Sequence, residues 1–310
     1  MMLSRTANNL FWLARYMERA EATARLIEMG QRMALLPGPK ESNEWRSVMM
    51  AAGAVDAVDG DKAVSEARVV KTLLLSADNP TSVRYCMERA RANARAVRTS
   101  LTQQQWETLN DGWRRFEKMT TSEARKNLGD HLDWVKTRTA TFRGATEGFM
   151  LRNDRYDFLH LGGYIERANM TLRLLDVKYY VLLPETEVVG GGRDHYQWRS
   201  ILLALSGHRA YHHNYAGDYS PWKITDFLVL SPRFPRSLKF CYGGIRLHLD
   251  RLAEHYGERH ECCKTADEML ERLNTKDLGE IFQSGLHEFI MGAIGTTYRL
   301  SDEISDAYHF

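Results

Sequence analysis

The stretch Arg15-Tyr-Met-Glu-Arg-Ala-Glu-Ala-Thr-Ala-Arg-Leu-Ile27 decides the fold, because its central part returns twice along the chain. The segment ERAEATAR at 18–25 recurs as ERARANAR at 88–95 and as ERANMTLR at 166–173. All three copies share Glu-Arg-Ala, two free positions, Thr or Asn, one free position and Arg. Five matched positions in every copy predict an internal repeat.

Each copy also carries apolar residues at steps of three and four, which places them on one stripe of an α-helix. At roughly 100° per residue, the repeated Glu18 and Arg25 point away from that stripe. They lie about 10.5 Å apart along the helix axis, which leaves room for another group between them. The three stripes are Leu13, Met17, Ala20, Ala24 and Ile27; Val83, Met87, Ala90, Ala94 and Val97; and Leu161, Ile165, Ala168, Leu172 and Leu175.

The repeated charged face has two interpretations. Glu and Arg are good helix formers, so duplicated helices can keep them as a solvated or inter-helix ion-pair face. The other interpretation is a polar pocket, because a solvated face has no reason to repeat residue identities. A face that meets another helix or a ligand does have such a reason.

Composition limits the class of protein. With 310 residues and 44% hydrophobic content, the chain can bury a sizeable core as one large domain or two. A net charge of +2 argues against binding nucleic acid or a membrane surface through overall charge. The four cysteines lack framework spacing, which favours reduced thiols in a cytoplasm. We expect neither a signal peptide nor a membrane span.

The pattern of helix breakers predicts an all-α protein. The seven prolines fall where helices can begin or end, and strand signals are nearly absent. We therefore expect a large bundle of long antiparallel helices that contains the repeated ER helices. The chain reads as a single domain over 1–310, and a linker at 184–193 permits a subdivision into 1–183 and 194–310.

Local signals predict several helix boundaries. Asp78-Asn-Pro80 is typical of a helix start with proline at the first helical position. Further helices are expected over roughly 122–143 and from about Asp277 to the end of the chain. Gly162 and Gly163 lie inside a strongly periodic helix, so we expect them to allow the close approach of a neighbour.

Several familiar chemistries lack their motifs. The chain contains no Glu-x-x-His, no HExxH, no P-loop, no GxGxxG and no GxSxG. Di-iron, zincin, nucleotide-hydrolysing, dinucleotide-binding and α/β-hydrolase functions therefore have no support. We predict neither a cofactor nor a metal centre.

Three weaker signals also have structural interpretations. His208 and His212 are spaced to bind a transition metal from one helix face, but no third ligand is evident. Cys262 and Cys263 could bind metal or respond to oxidation, and they are interpreted as packing residues. The triple glycine at 190–192 could present N–H groups to an anion and is interpreted as a flexible joint.

Arginines and tryptophans are likewise interpreted as structural. An arginine stripe could bind phosphate or RNA but lacks interleaved aromatic residues, so it is interpreted as a solvated or ion-paired face. The tryptophans occupy helical positions and are expected in the core. The stripe is Arg84, Arg91, Arg95 and Arg98, and the tryptophans are Trp12, Trp45, Trp106, Trp113, Trp134, Trp198 and Trp222.

Four segments together resemble the bacterial alpha-E family. They are LSRTANNLFWLARYMERAEATARL at 3–26, YCMERARANARAVR at 85–98, LGGYIERANMTLRLLDVK at 161–178 and FPRS at 234–237. The resemblance implies an all-helical protein of a family without an established biochemical activity. Family members are encoded beside ATP-grasp proteins resembling amide ligases and beside transglutaminase-like proteins. It therefore implies a part in making or modifying an amide-linked peptide.

The resemblance also indicates candidate residues for a polar pocket or a partner-binding surface. The segment SGHRAYHH at 206–213 departs from the family by its extra histidines, so no shared role is carried over to it. The candidates are Arg5, Asn9, Arg15, Glu18, Arg19, Glu21, Arg25, Arg89, Asn93, Arg95, Glu166, Arg167, Arg173 and Arg236.

Two functions compete at this stage. The first is a non-catalytic helical partner that binds the amide-ligase-like or transglutaminase-like protein, or presents its peptide substrate. It follows from the lack of a nucleophile-base-orienter set and from the family's gene neighbours. The alternative is an enzyme or small-molecule binder, in which Glu18 or Glu166 acts as general base. Arg15, Arg25 and Arg173 would then hold a carboxylate or phosphate.

Overall fold

A computed structural model describes residues 4–35, 44–54, 64–180 and 192–310. These residues form fifteen α-helices and no strand, which confirms the predicted all-α helical bundle. The predicted linker lies mostly at 184–191, outside the described residues, so the subdivision that it suggests stays a prediction. No helix in the described ranges has the length and apolar character needed to cross a membrane.

Contacts between Cα atoms divide the chain into two compact units. The central unit comprises Trp12–Leu151, and the terminal unit comprises Met1–Phe11 together with Arg152–Phe310. The first helix, α1 (Ser4–Ala34), begins in the terminal unit and continues in the central unit.

The central unit is an assembly of amphipathic helices. Its second longest helix, α7, packs on α5, and α5 packs on α4. The π-helical turn Val70–Leu74 follows α3, and Val70, Leu73 and Leu74 in it are buried. After α1, the helices are α2 (Glu44–Ala51), α3 (Glu66–Val69), α4 (Val83–Ala96), α5 (Gln103–Phe116), α6 (Thr121–Lys126) and α7 (Leu128–Phe149).

The terminal unit is organised around α8 (Asp154–Tyr180), the helix that carries the third ER copy. α8 packs on α12 and α15, and α13 packs on both of those helices. The other helices are α9 (Gly192–Ala204), α10 (His208–Tyr215), α11 (Pro221–Thr225), α12 (Leu238–Tyr256), α13 (Glu261–Thr275), α14 (Leu278–Gln283) and α15 (Leu286–Ala307).

Three predicted boundaries were wrong. The helix expected to start at Pro80 begins at Val83, because the Ser82 hydroxyl caps it. The helix expected over 122–143 is divided at Asn127, whose backbone is not helical. The last helix is also two helices, because Gly285 adopts a φ of 91° that interrupts the helical path.

Candidate functional site

The first ER helix is buried on both faces. Its apolar stripe is buried as predicted, and the opposite carboxylates are also buried, with Glu18 3% and Glu21 0% exposed. The interpretation of this face as solvated is therefore wrong for α1. A carboxylate removed from water needs a cationic partner, because an isolated buried charge is very costly.

That partner comes from α7. Arg143 bonds through Nη1 to Glu21, and the same nitrogen lies 3.3 Å from Oε2 of Glu18. The other oxygen of Glu21 accepts from Arg25 at 2.9 Å from Nε and 2.7 Å from Nη2. We call Glu18, Glu21, Arg25 and Arg143 the carboxylate cluster. Two carboxylates and two guanidinium groups balance in charge, and the bonds are of the strong charge-assisted kind.

Arg143 was missed by the sequence analysis, although a spacing signal exists. Glu21 and Glu28 are seven residues apart on α1, and Lys136 and Arg143 are seven residues apart on α7. Lys136 Nζ lies 2.7 Å from Glu28 Oε2, so the two ion-pair positions match along antiparallel helices. Such a match becomes informative only when the partner helix is known.

Two other motif residues hold a turn in the central unit. Arg19 donates to the carbonyl oxygen of Pro80 at 3.3 Å, and the Thr23 hydroxyl donates to that of Thr81 at 2.9 Å. The Thr position of the ER repeat is therefore occupied by a side chain that ties α1 to the turn before α4. Both side chains donate to backbone carbonyl oxygens, so these hydrogen bonds serve the fold.

The terminal unit repeats this arrangement on α8. Arg167 donates to the carbonyl oxygen of Pro235 at 3.4 Å, and the Thr171 hydroxyl donates to that of Arg236 at 2.7 Å. The FPRS segment that carried part of the family resemblance is thus the counterpart of the turn at 79–82. Glu166 on the same helix is buried, as Glu18 is.

The two turns also share their internal bonds. Ser82 donates through its hydroxyl to the carbonyl of Ser76, and Ser237 donates in the same way to Ser231, both at 2.5 Å. Each of these serines then caps the following helix, α4 or α12. We call the segments Pro80–Ser82 and Pro235–Ser237 the Pro-x-Ser turns. An ER helix seated on a Pro-x-Ser turn is therefore present once in each unit.

The second sequence copy does not belong to this arrangement. Glu88 and Arg89 lie on α4, after the turn, and both side chains are exposed. Aligning the two Pro-x-Ser turns places Gly243 and Gly244 of α12 at the same positions. The threefold repeat in sequence is therefore a twofold repeat in structure, and the prediction of one shared charged face is wrong for the second copy.

The remaining candidate residues are dispersed. Arg15 is buried, with its guanidinium carbon 4.3 Å from the centroid of the Trp12 ring. Arg173 donates to the hydroxyl of Tyr298, and Asn9 donates to the carbonyl oxygen of Arg5. On α4, Arg89 and Arg95 are exposed and Asn93 is partly exposed. Of the candidates, Glu18, Glu21 and Arg25 are brought together in the carboxylate cluster of the central unit.

A second polar cluster, in the terminal unit, was also missed. His248 Nδ1 lies 2.7 Å from Oδ1 of the buried Asp157, and Arg251 Nε lies 3.1 Å from the same oxygen. His160 stacks on His248 with ring centroids 4.7 Å apart. Burial, followed by the charge of His248, lowers the pKa of His160 to about 3. The spacing of Tyr156 and His160 by four residues on α8 was the available sequence signal.

The weaker sequence signals are partly resolved. His208 Nε2 is 2.8 Å from the hydroxyl of Tyr219, and within the described ranges no group of three His, Cys, Asp or Glu side chains could hold a metal ion. Cys262 and Cys263 are buried, which agrees with their interpretation as packing residues. Of the seven tryptophans predicted in the core, Trp198 is buried, Trp222 is 46% exposed and the other five are partly exposed, so the prediction was confirmed only for Trp198.

The repeated Glu-Arg pairs agree with a known family. Residues 2–309 match the model of Alpha-E, described as a predicted alpha-helical domain with a conserved ER motif. The chain belongs to the Alpha-E family. In this Alpha-E chain the ER pairs that meet a Pro-x-Ser turn are Glu18–Arg19 and Glu166–Arg167.

Mycobacterial proteins are similar to this Alpha-E chain over most of its length. An uncharacterised protein of Mycobacterium bovis and one of Mycobacterium tuberculosis CDC 1551 are each 26% identical over 309 residues, which cover 91% of this chain and 34% of the relative. A third, from Mycobacterium tuberculosis H37Rv, is 25% identical with the same coverage. The chain thus spans about a third of the length of these relatives. No solved structure matches it.

Proposed function

We propose that this Alpha-E chain is a non-catalytic helical scaffold that acts with an ATP-grasp amide-ligase-like protein and a transglutaminase-like protein. In this role it supports the synthesis or modification of an amide-linked peptide in the cytoplasm. The observation that carries the proposal is the carboxylate cluster. Glu21 is fully buried and bonded to both Arg25 and Arg143, and Glu18 of the ER motif lies 3.3 Å from Arg143, so these carboxylates serve to join α1 and α7.

The anchoring contacts at the two turns support the same role. Arg19, Thr23, Arg167 and Thr171 all donate to backbone carbonyls, which organise the fold and cannot turn over a substrate. A motif used in this way makes a rigid support on which partners can be placed. Buried thiols at all four cysteines support the cytoplasmic assignment.

The length of the relatives supports action beside another protein. Since this chain corresponds to 34% of each mycobacterial relative, most of each relative lies outside the match. An Alpha-E segment that is part of a longer chain works next to other domains. We propose that the present chain likewise acts next to comparable partners.

Copurification tests the scaffold role. The chain is mixed at micromolar concentration with an ATP-grasp amide-ligase-like protein of the same organism, and the mixture is separated by size-exclusion chromatography. We expect coelution of both proteins, and we expect the Glu18→Gln variant to coelute as well. The absence of a complex with the unaltered chain would contradict the proposal.

A small-molecule or enzymatic role of the carboxylate cluster is the second candidate. The side chain of Arg143 is 36% exposed while it pairs with Glu18 and Glu21, so it could also reach a carboxylate or phosphate from solvent. In that case Glu18→Gln abolishes activity of the reconstituted system. A scaffold retains its partner binding after the same substitution, so one variant separates the two roles.

A further inference from the structure

A polar groove lies on the α4–α5 hairpin of the central unit, away from the carboxylate cluster. It has a volume of about 630 Å³, within the range of about 300–1,000 Å³ of ligand-binding clefts. Its lining includes Arg98, in the turn between α4 and α5, and three residues of α5, which are Trp106, Asn110 and Arg114. The three α5 residues follow one another at steps of four, so they form one side of the helix.

The groove is organised before any ligand binds. The Arg98 guanidinium carbon lies 4.9 Å from the centroid of the Trp106 ring. Arg91 Nε donates to Oδ1 of Asn110 at 2.7 Å, and Asn110 Nδ2 donates to the carbonyl of Trp106 at 3.2 Å. These contacts restrain the groove side chains, which reduces the entropy that a ligand must overcome on binding.

The groove holds two arginines and two carboxylates, and one of the carboxylates is already ion-paired. Asp111 pairs with Arg138 at 3.5 Å, whereas Glu107 accepts a bond from the neutral amide of Gln103. Among the residues that the structure describes, Arg98 and Arg114 have no ion pair with a carboxylate. Guanidinium groups in this state present N–H donors suited to a carboxylate.

The α4–α5 hairpin around the groove also carries a net positive charge. Residues 83–118 contain eight Arg or Lys and four Asp or Glu, a net charge of +4, while the whole chain carries +2. The positive charge is therefore concentrated on this hairpin and would attract an acidic ligand. The tryptophan adds an apolar surface for the stem of an acidic side chain.

We propose that this groove binds an extended acidic peptide, with two of its carboxylates held by Arg98 and Arg114. Trp106 packs against the carbon chain between them, and Gln103 and Asn110 are the neutral polar groups near the peptide backbone. The inference rests on the proposed function, because it names the chemistry of the peptide that the scaffold presents. It does not require that any residue of the groove be catalytic.

Calorimetric titration of the full chain with a tetraglutamate peptide tests the groove. We expect tetraglutamate to bind, and Arg98→Gln or Arg114→Gln to weaken it about tenfold, the loss of one charge-assisted contact. The matched control is Arg125→Gln, which removes an equal charge from an exposed arginine outside the groove, and it should alter the affinity less than about twofold. Thermal unfolding of each variant verifies that it remains folded.

Three results would overturn the groove assignment: no binding of tetraglutamate, equal binding of tetraglutamine, or an equal loss in Arg125→Gln. The last would indicate a general attraction to positive charge. Copurification with the ATP-grasp protein keeps this test separate from the proposed function. A complex that persists without tetraglutamate binding contradicts the groove alone, and failure of the complex with intact peptide binding contradicts the scaffold role alone.

Discussion

Gly162 of α8 lies so close to the backbone of Phe11 that a Cβ atom at position 162 would come within 2.1 Å of the Phe11 carbonyl oxygen. At Gly163, the next residue, an added Cβ would meet nothing within 4 Å. The expectation of close approach is therefore confirmed for Gly162 and wrong for Gly163. The two glycines form a matched pair within one helix.

We expect Gly162→Ala to lower the free energy of unfolding by about 3 kcal/mol or more, because the contacted atom belongs to a backbone that cannot move aside. Gly163→Ala should raise it by about 0.5–1 kcal/mol through better helix propensity. Urea denaturation followed by circular dichroism measures both. Equal effects of the two substitutions would contradict the close approach.

Removing Arg143, one of the two cations of the carboxylate cluster, should lower the free energy of unfolding. In Arg143→Gln, Glu18 and Glu21 stay buried with less compensation, although Arg25 still pairs with Glu21. Breaking a fully buried pair costs about 3–5 kcal/mol, and the partial exposure of Arg143 reduces our expectation to about 2 kcal/mol. Urea denaturation gives the value.

The control for this substitution is Arg125→Gln, whose ion pair with Glu66 is largely exposed and should contribute less than about 1 kcal/mol. Adding Glu18→Gln to Arg143→Gln should recover part of the lost stability, because a buried carboxylate that has lost its contact with Arg143 is removed. If the double variant shows no recovery, the charge coupling between Glu18 and Arg143 is not supported.

Because the two turns are equivalent, removing the threonine hydrogen bond at either one should lower the free energy of unfolding by a similar amount. Thr23→Val and Thr171→Val retain the side-chain shape and remove one hydrogen bond to a turn carbonyl, so each should lower the free energy of unfolding by about 1 kcal/mol or somewhat more. Thr141→Val is the control, since the hydroxyl of Thr141 is exposed and donates to the carbonyl of Thr137 in the same helix. Clearly unequal losses at positions 23 and 171 would argue against a shared anchoring role.

His160 should make the fold sensitive to acid. Burial lowers its pKa from 6.5 to about 3, so the unfolded chain binds more protons than the folded chain between these values. Stability is therefore present above pH 6.5 and is lost as the pH falls toward 3, by at most about 1.4 kcal/mol per pH unit. Denaturation series between about pH 7 and pH 4 should show a shallower loss of stability in His160→Phe than in the unaltered chain.

His213→Phe provides the comparison, because it removes a histidine that is exposed on α10. A pH dependence in His160→Phe equal to that of the unaltered chain would mean that His160 does not contribute.

Local sequence patterns predicted much of the helical structure but little of the cluster geometry. The stripes containing Leu13 and Leu161 depend only on the 3.6-residue period, and both were buried as expected. The burial of Glu18 depends on Arg143, more than a hundred residues away, and no local pattern reports such a contact. At the start of α4, the capping bond of Ser82 outweighed the proline signal two residues earlier.

The twofold use of the Pro-x-Ser turn gives the chain an internal comparison. One copy is followed by Glu88 and Arg89, whereas the other is followed by Gly243 and Gly244, and the ring of Tyr164 occupies the space that a side chain at position 244 would need. An ER helix with its Pro-x-Ser turn is thus one module used twice, with different side chains placed after the turn in each use.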